Sequence, residues 1–270
     1  MEYFKNYRKT AYTFGDDFEK LGGAGRQIEY VRDLTQYVDI VDQVREGIHF
    51  YEPYNIIENE RPDQVSQFLY ETPVYHWTFY IMNDSLRSHG WPLTFRQMDE
   101  KLATDFPHQF IYVRADLSNV FLQNEFVTGV ISGCRGKIIK RDLDHGIIIV
   151  DTSAYAKAGL PSTFRQGEAI NCTGLPQHTA TLTISGTGLE FNATHHYGQA
   201  GLTVYNGGHY EDGDGNPVDI DPTAPPPAIY NEVTISNRYH RINDSLKAIK
   251  VIKPDNIIQI ASAFKRALTS

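Results

Sequence analysis

Between residues 119 and 191 the chain is written in apolar runs of about five residues, punctuated by glycine and by Asp or Asn, and this texture limits the fold more than any other feature. In FVTGVISGCRGKIIKRDLDHGIIIVDTS, the segments KIIKR and IIIVD flank Asp142-Leu143-Asp144-His145-Gly146, which predicts a hairpin closed by that turn. TFRQGEAINCTG and TATLTISGTG repeat the pattern, so the block reads as a small barrel or sandwich. On both sides the apolar period changes to that of helices. The expected class is therefore α+β, with an all-β domain inserted into a helical body.

Residues 1–25 alternate aromatic and polar positions (Tyr3, Phe4, Tyr7, Tyr12, Phe14) and end in Gly22, Gly23 and Gly25. That pattern predicts an extended arm with little regular structure. Such an arm has no core of its own, so its aromatics dock on the body or on another subunit. Ile28, Val31, Leu34, Tyr37, Val38, Val41 and Val44 follow at spacings of three and four; the spacing suits an amphipathic helix over 27–46, while the β-branched content suits an extended chain. A short strand, Tyr54 to Glu58, then turns through Asn59, Glu60 and Arg61. Pro62 opens a helix with Val65, Phe68 and Leu69 on one face, and Thr72-Pro73 breaks it. A second helix directs Val74, Trp77, Thr78 and Ile81 to the core and ends near Asn83. Ser88-His89-Gly90 reads as a turn, and TFRQMDEKLATDF as a short helix with Phe95, Met98 and Leu102 on one side.

The region 192–235 is poor in apolar residues and reads as a long surface loop with a stiff Pro225-Pro226-Pro227 run. Regular structure resumes with a helix from Ser236 to Leu246 and a strand, AIKVIK (248–253). A final helix opened by Pro254 carries Ile257, Ile258, Ala261, Phe264 and Leu268 in one stripe. The resulting division is 1–47 arm and connecting segment, 48–115 first body, 119–191 β insert, 192–235 loop, and 236–270 return to the first body.

A formal charge of −8 without a Lys/Arg run argues against a nucleic-acid partner. The 17 Tyr and 14 Phe suit either partner surfaces or a β-rich fold. Cys134 and Cys172 lie inside the β block and read as small buried hydrophobes, in keeping with a reducing cytoplasm. The N-terminus lacks an apolar stretch of signal-peptide length, and no run of about 18 apolar residues occurs, so no membrane contact is expected.

Motifs that would carry chemistry are missing: GxSxG, P-loop, GxGxxG and HExxH are all absent. Asp212-Gly213-Asp214-Gly215-Asn216 begins like a calcium loop. However, Pro217 and Thr223 stand where that loop needs glycine and glutamate, which favours a glycine-rich hairpin turn. His195-His196 in a strand point to opposite faces and cannot easily share an ion, with each other or with His209. Glu58, Glu60 and Asp63 read as a solvated helix start. The sequence thus predicts no catalytic residue, metal or cofactor.

At 54–84 the strand, polar turn, helix and Trp-containing helix ending in Asn-Asp look like a LysM module. YNIIENERPDQVSQFLYETPVYHWTFYIMND followed by GWPLT is similar to the baseplate wedge protein of T-even-like phages, and YFKNYRKTAYTFGD and SNRYHRINDSLKAIKVIKPDNI resemble the ends of that family. The likeness covers roughly 1–115 and 190–270. It implies a LysM-like βααβ core and a virion protein without enzymatic activity, assembled in the host cytoplasm into the tail baseplate. Its implied partners are other wedge proteins and neighbouring wedges, with tail tube, sheath or fibre proteins possible contacts of the β insert. The interface residues expected on this basis are Tyr3, Phe4, Tyr7, Tyr12, Phe14, Tyr54, Trp77 and Trp91.

Glycan-binding LysM modules carry Gly-Asp-Thr/Ser in the first turn, where this chain has Asn59-Glu60-Arg61-Pro62. The rival reading is a peptidoglycan- or chitin-binding module using Asn59, Glu60, Arg61 and Asn83 beside Trp77. Because no second strand follows Asn83-Asp84, AIKVIK is expected to supply it by pairing antiparallel with YNIIE (54–58).

Overall fold

The computed structural model describes residues 9–13, 28–32, 47, 49–173, 180–199, 210–211, 217–218, 223 and 230–269. In chain order the first elements are β1 (Lys9–Thr13), β2 (Ile28–Arg32), β3 (Tyr51–Asn55), α1 (Pro62–Tyr70), α2 (Trp77–Met82), α3 (Asp84–His89) and α4 (Phe95–Asp105). Next come β4 (Gln109–Val113), β5 (Phe126–Gly129), β6 (Arg135–Asp142), β7 (Ile147–Asp151), α5 (Ser153–Lys157), β8 (Ala169–Thr173) and β9 (Thr181–Leu189). The last are β10 (Thr194–Gln199), β11 (Tyr210–Glu211), β12 (Pro217–Val218), β13 (Tyr230–Thr234), α6 (Ile235–Ser245), β14 (Ala248–Ile252) and α7 (Pro254–Thr269). The chain divides into two units, residues 1–94 with 243–270, and residues 95–242. Helix α4 and strand β4, placed by sequence with the first body, belong to the second unit.

The first unit is closed by strands almost two hundred residues apart. β14 pairs antiparallel with β3, Ala248 opposite Asn55 and Ile252 opposite Tyr51. This is the expected pairing, but β3 begins three positions before the expected Tyr54–Glu58 strand, and Ile57–Glu60 forms the turn instead. Bonds from Ile56 N–H to the Lys247 carbonyl (2.9 Å) and from Lys253 N–H to the Phe50 carbonyl (3.0 Å) extend the ladder. Their phase turns the polar groups of Lys250, Ile252 and Pro53 away from the partner strand. Pro53 therefore sits where its missing N–H costs no ladder bond.

Among the described residues no third strand joins this sheet, and side chains cover the far edge of β14. The Asn83 amide donates to the Lys250 carbonyl (2.9 Å) and accepts from Lys250 N–H (2.8 Å), while Tyr70 Oη donates to the Ile252 carbonyl (2.8 Å). Above this sheet Val65, Tyr70, Phe79, Met82 and Leu86 pack with Ile56, Ile249, Val251, Ile252 and Ile257. A second amide clamp, from the buried Asn243, accepts from Leu93 N–H (2.8 Å) and donates to the Leu93 carbonyl (2.9 Å). Asn83→Ala is expected to destabilise this unit by about 1–2 kcal/mol, since both polar groups of Lys250 lose their partner. Urea unfolding followed by tryptophan emission checks it; an unchanged midpoint would mean that water replaces the amide without cost.

Several apolar stripes read from sequence are narrower in space. Val65 and Leu69 pack inward, but Phe68 is exposed, as are Val74, Phe95 and Ile258. Only the residues nearest each stripe's centre face the core. Ser88-His89 continues helix α3, which stops at Gly90 with φ 86°. Ile28–Arg32 is extended and pairs with Lys9–Thr13, so the arm contains a strand and the helical reading fails there. The rest of 27–46, where the helical and extended readings both stand, and Pro225 to Pro227 lie outside the described residues.

The second unit is built on a closed six-stranded barrel in the order β4-β7-β6-β5-β8-β9. The expected hairpin is β6–β7, with Lys137 opposite Asp151 and Asp142 opposite Ile147. Ile111, Val113, Val127, Ile138, Ile148, Val150, Ile170, Cys172 and Ile184 fill the barrel with Leu117 and Phe121. Ile147 and Ile149, on the other face of β7, pack on Ala193, Phe110, Tyr112 and Ile235. β7 is thus buried on both faces, which is why it reads IIIV without alternation. Gly136 is forced by closeness: a Cβ there would lie 2.3 Å from Val150 Cγ1. The 192–235 region is not a bare loop, because β10 pairs with β13 and the short β11 with β12.

Candidate interaction surface

The residues singled out around the first turn are brought together, but to hold the turn itself. Ile57 N–H donates to Glu60 Oε2 (2.9 Å), and Glu60 N–H to the Ile57 carbonyl (3.1 Å). Asn59 sits between them at φ 73°, a left-handed conformation that asparagine tolerates better than most residues. Tyr54 Oη donates to both Glu60 oxygens (3.2 and 3.1 Å), and Trp91 Nε1 donates to the Glu60 carbonyl (2.7 Å). Burial and then Glu60 push the Tyr54 hydroxyl up to about 12, so it stays a donor. Trp91 packs on Phe79 and Tyr80 at 5.9 and 6.2 Å between ring centres. Tyr54 and Trp91 are thus half-buried braces of their own turn.

At the start of α1, Arg61 N–H donates to Gln64 Oε1 (3.1 Å), its carbonyl accepts from Gln64 N–H and Val65 N–H (3.0 Å each), and its guanidinium binds Asp63 at 2.7 Å. Burial opposes ionisation of Asp63, but Arg61 holds its carboxyl below the usual range. Asn83 is committed to Lys250. Trp77 is 7% exposed and packs on Phe264 at 5.2 Å, with Ala261 beside it. It is a core residue, which corrects both its expected interface role and the idea of a sugar groove against its ring. Its place on the core-facing side of the second helix pointed to burial, but the ring that covers it, Phe264, lies 187 positions away. Tyr3, Phe4, Tyr7 and Phe14 lie outside the described residues; Tyr12 falls on β1, opposite Glu29.

In the barrel unit, a cavity of about 250 Å³ is lined by Phe106, Lys140, Asp142, His145, Glu190 and the outward isoleucines of β7, among others. Its polar pair closes the β6–β7 turn: Asp142 accepts from His145 N–H (3.2 Å) and faces His145 Nδ1 at 2.8 Å. Burial raises the Asp142 carboxyl, but the His145 contacts outweigh it and leave it below its ordinary range. Cys134 and Cys172 are free and buried; burial, with Glu168 and Glu125 respectively, pushes them up to about 11 and about 12, far from a reactive thiolate. Among the described residues, no group of three or more His, Cys, Asp or Glu is arranged to hold a metal ion.

Sequence reading missed Glu168, a buried acid engaged by four donors. Only 1% exposed, it accepts from Ile131 N–H (3.0 Å), Ser132 N–H (2.8 Å), Ser132 Oγ (2.8 Å) and Arg165 N–H (2.6 Å). Burial raises its carboxyl, but these donors outweigh that effect and hold it below its ordinary value of 4.5. The carboxylate thereby fixes the β5–β6 loop, at whose tip Val130 and Ile131 are exposed. The available signal was a lone Glu placed directly after Gly167 at the start of the strand that carries Ile170 and Cys172. A scan against protein-family models and a comparison with curated proteins both find no match. The geometry describes a chain whose conspicuous acids and amides are spent on internal architecture, leaving apolar loop tips and helix flanks outward.

Proposed function

We propose that this chain is a structural subunit of a contractile-tail phage baseplate wedge, joining neighbouring wedge subunits through a LysM-like body reused for protein contacts. What carries the reading is the β3–α1–α2–β14 unit, a strand-helix-helix-strand arrangement closed by pairing of 51–55 with 248–252. That order is the one implied by the resemblance at 54–84, once the distant strand is counted. The internal engagement of Glu60, Asn83 and Trp77 favours protein contacts over the rival glycan-binding reading, since a sugar groove needs open donors, acceptors and an exposed ring face. In this proposal the N-terminal aromatics anchor a second subunit, because a few aromatic side chains commonly dominate an interface.

Deleting residues 2–14 is expected to leave a folded protein that no longer enters the baseplate. Electron microscopy of assembled tails, with the truncated chain supplied in place of the full one, reads the outcome. Normal incorporation removes the arm from the proposal, and finding the full chain outside the tail-end ring removes the proposal itself. A peptidoglycan pull-down addresses the rival reading: saturable binding would favour it.

A further inference from the structure

We propose that the barrel end carrying Val130, Ile131 and Leu160, rimmed by Arg135, Lys157 and Arg165, is a docking surface for an anionic lipid bilayer. All three aliphatic residues stand well out of the protein, at 58%, 66% and 52% exposure. The three cations are exposed as well.

Hydrogen bonds and ring contacts bring these residues to one end. The β5–β6 loop is drawn tight by Gly133 N–H donating to the Gly129 carbonyl (3.1 Å), and Val130 N–H donates to the Ala169 carbonyl (2.9 Å). The buried Glu168 carboxylate joins the backbones of Ile131, Ser132 and Arg165. On the other side, the Arg135 guanidinium lies over Phe126 (5.0 Å) and Tyr155 (5.7 Å). Tyr155 belongs to α5, which ends at Lys157, and its carbonyl accepts from Leu160 N–H (3.0 Å).

Both the rigidity and the chemistry point to lipid. A buried carboxylate with four donors holds a loop whose tip shows two β-branched side chains to solvent, so insertion requires little further ordering. Protein interfaces are enriched in aromatic residues, methionine and arginine and depleted in lysine. The absence of an exposed ring among the described residues of this surface and the presence of Lys157, more than the two arginines, set it apart. Here the exposed side chains are aliphatic and cationic, while the local rings of Phe126 and Tyr155 support Arg135. Aliphatic groups that enter the headgroup region, with cations against anionic lipid, are the two terms of peripheral membrane binding. Lys137 adds a fourth cation behind the rim; against these four stand two acids, Asp151, which lies opposite Lys137 in the barrel register and also faces Lys157, and Glu168 beneath the loop. The chain as a whole carries −8, but over a screening length of about 8 Å in physiological salt the local cations decide the sign. Among the described residues no helix is long and apolar enough to cross a membrane, so the proposed contact is peripheral. A membrane was not among the partners expected from sequence.

The test is flotation of the full chain with phosphatidylcholine vesicles, with and without about a quarter phosphatidylglycerol. Binding is expected only with phosphatidylglycerol, weakened at least about tenfold by salt near 0.5 M, and weakened similarly by Val130→Asp with Ile131→Asp or by Lys157→Glu with Arg165→Glu. Circular dichroism verifies that each variant keeps the barrel. Failure to bind the anionic vesicles, equal binding to neutral ones, or binding untouched by either pair of substitutions overturns the proposal and leaves the surface to a protein partner.

Discussion

Truncation after Leu246 is expected to unfold the first unit and leave the barrel standing. The deleted segment supplies β14 and α7, and with them Ile249, Val251, Ile252 and Ile257 of the main core and the Ala261 and Phe264 that cover Trp77. Large-to-small changes at buried aliphatic and aromatic sites cost about 2–5 kcal/mol each, and a domain holds only about 5–15 kcal/mol in total. Losing the five large ones together, with Ala261 beside them, therefore exceeds what the unit can bear. The barrel's main core, by contrast, is drawn from residues between Ile111 and Ile184, and its strands close on one another. Both tryptophans of the sequence, Trp77 and Trp91, lie in the first unit, so their emission reports on it alone. The truncated chain should show solvent-exposed tryptophan emission while the amides of Ile147 to Val150 stay protected from hydrogen exchange. Native-like emission after truncation, or loss of that protection, would contradict the division.

The same geometry explains why so large an excursion fits inside one unit. Asn243 binds both backbone polar groups of Leu93, so the chain leaves and re-enters the first unit at points a few ångströms apart. Insertions whose ends lie together are tolerated because loop-closure cost grows slowly with length.

What could be read from sequence, and what could not, follows from the range of the deciding interactions. The β6–β7 hairpin was legible because turn chemistry at Asp142 to Gly146 and the apolar runs beside it are local. β4 was not, since QFIYV has no glycine punctuation and becomes a strand only between β7 and β9. The β3–β14 pairing was inferred from a missing strand, but its register was displaced: Pro53 reads as a strand breaker until the ladder's phase is known. Asn83 reads as the end of a helix and Asn243 falls inside the predicted Ser236–Leu246 helix, yet each replaces a backbone partner for a segment 150 or more positions away. Trp77 illustrates the limit at the candidate site, because aromatic character suits an interface and a core equally until Phe264 is placed.

Replacing Glu168 by Ala is expected to cost the barrel about 3–5 kcal/mol near neutral pH. Hydrogen bonds to a charged group contribute about 1.5–3 kcal/mol each, and deletion of the acceptor leaves backbone donors without a partner. Those donors are the N–H groups of Ile131, Ser132 and Arg165, gathered by a side chain itself almost wholly buried. The effect carries a pH signature. Because the folded-state carboxyl is held below 4.5, its contribution is fully present above that value and is lost as pH falls through the lower folded value. The stability gap between wild type and variant should therefore be widest above 4.5 and narrow as pH falls through the lower folded value. Asp116, Asp142 and Asp151 are also lowered, by contacts that exclude Glu168, so their acid sensitivity is shared by both proteins and drops out of the difference. Urea titrations across that range, followed by far-ultraviolet circular dichroism, measure the gap directly. A gap that stays constant with pH would mean that the side chain acts by filling space, and the charge-based account of the β5–β6 loop would fail.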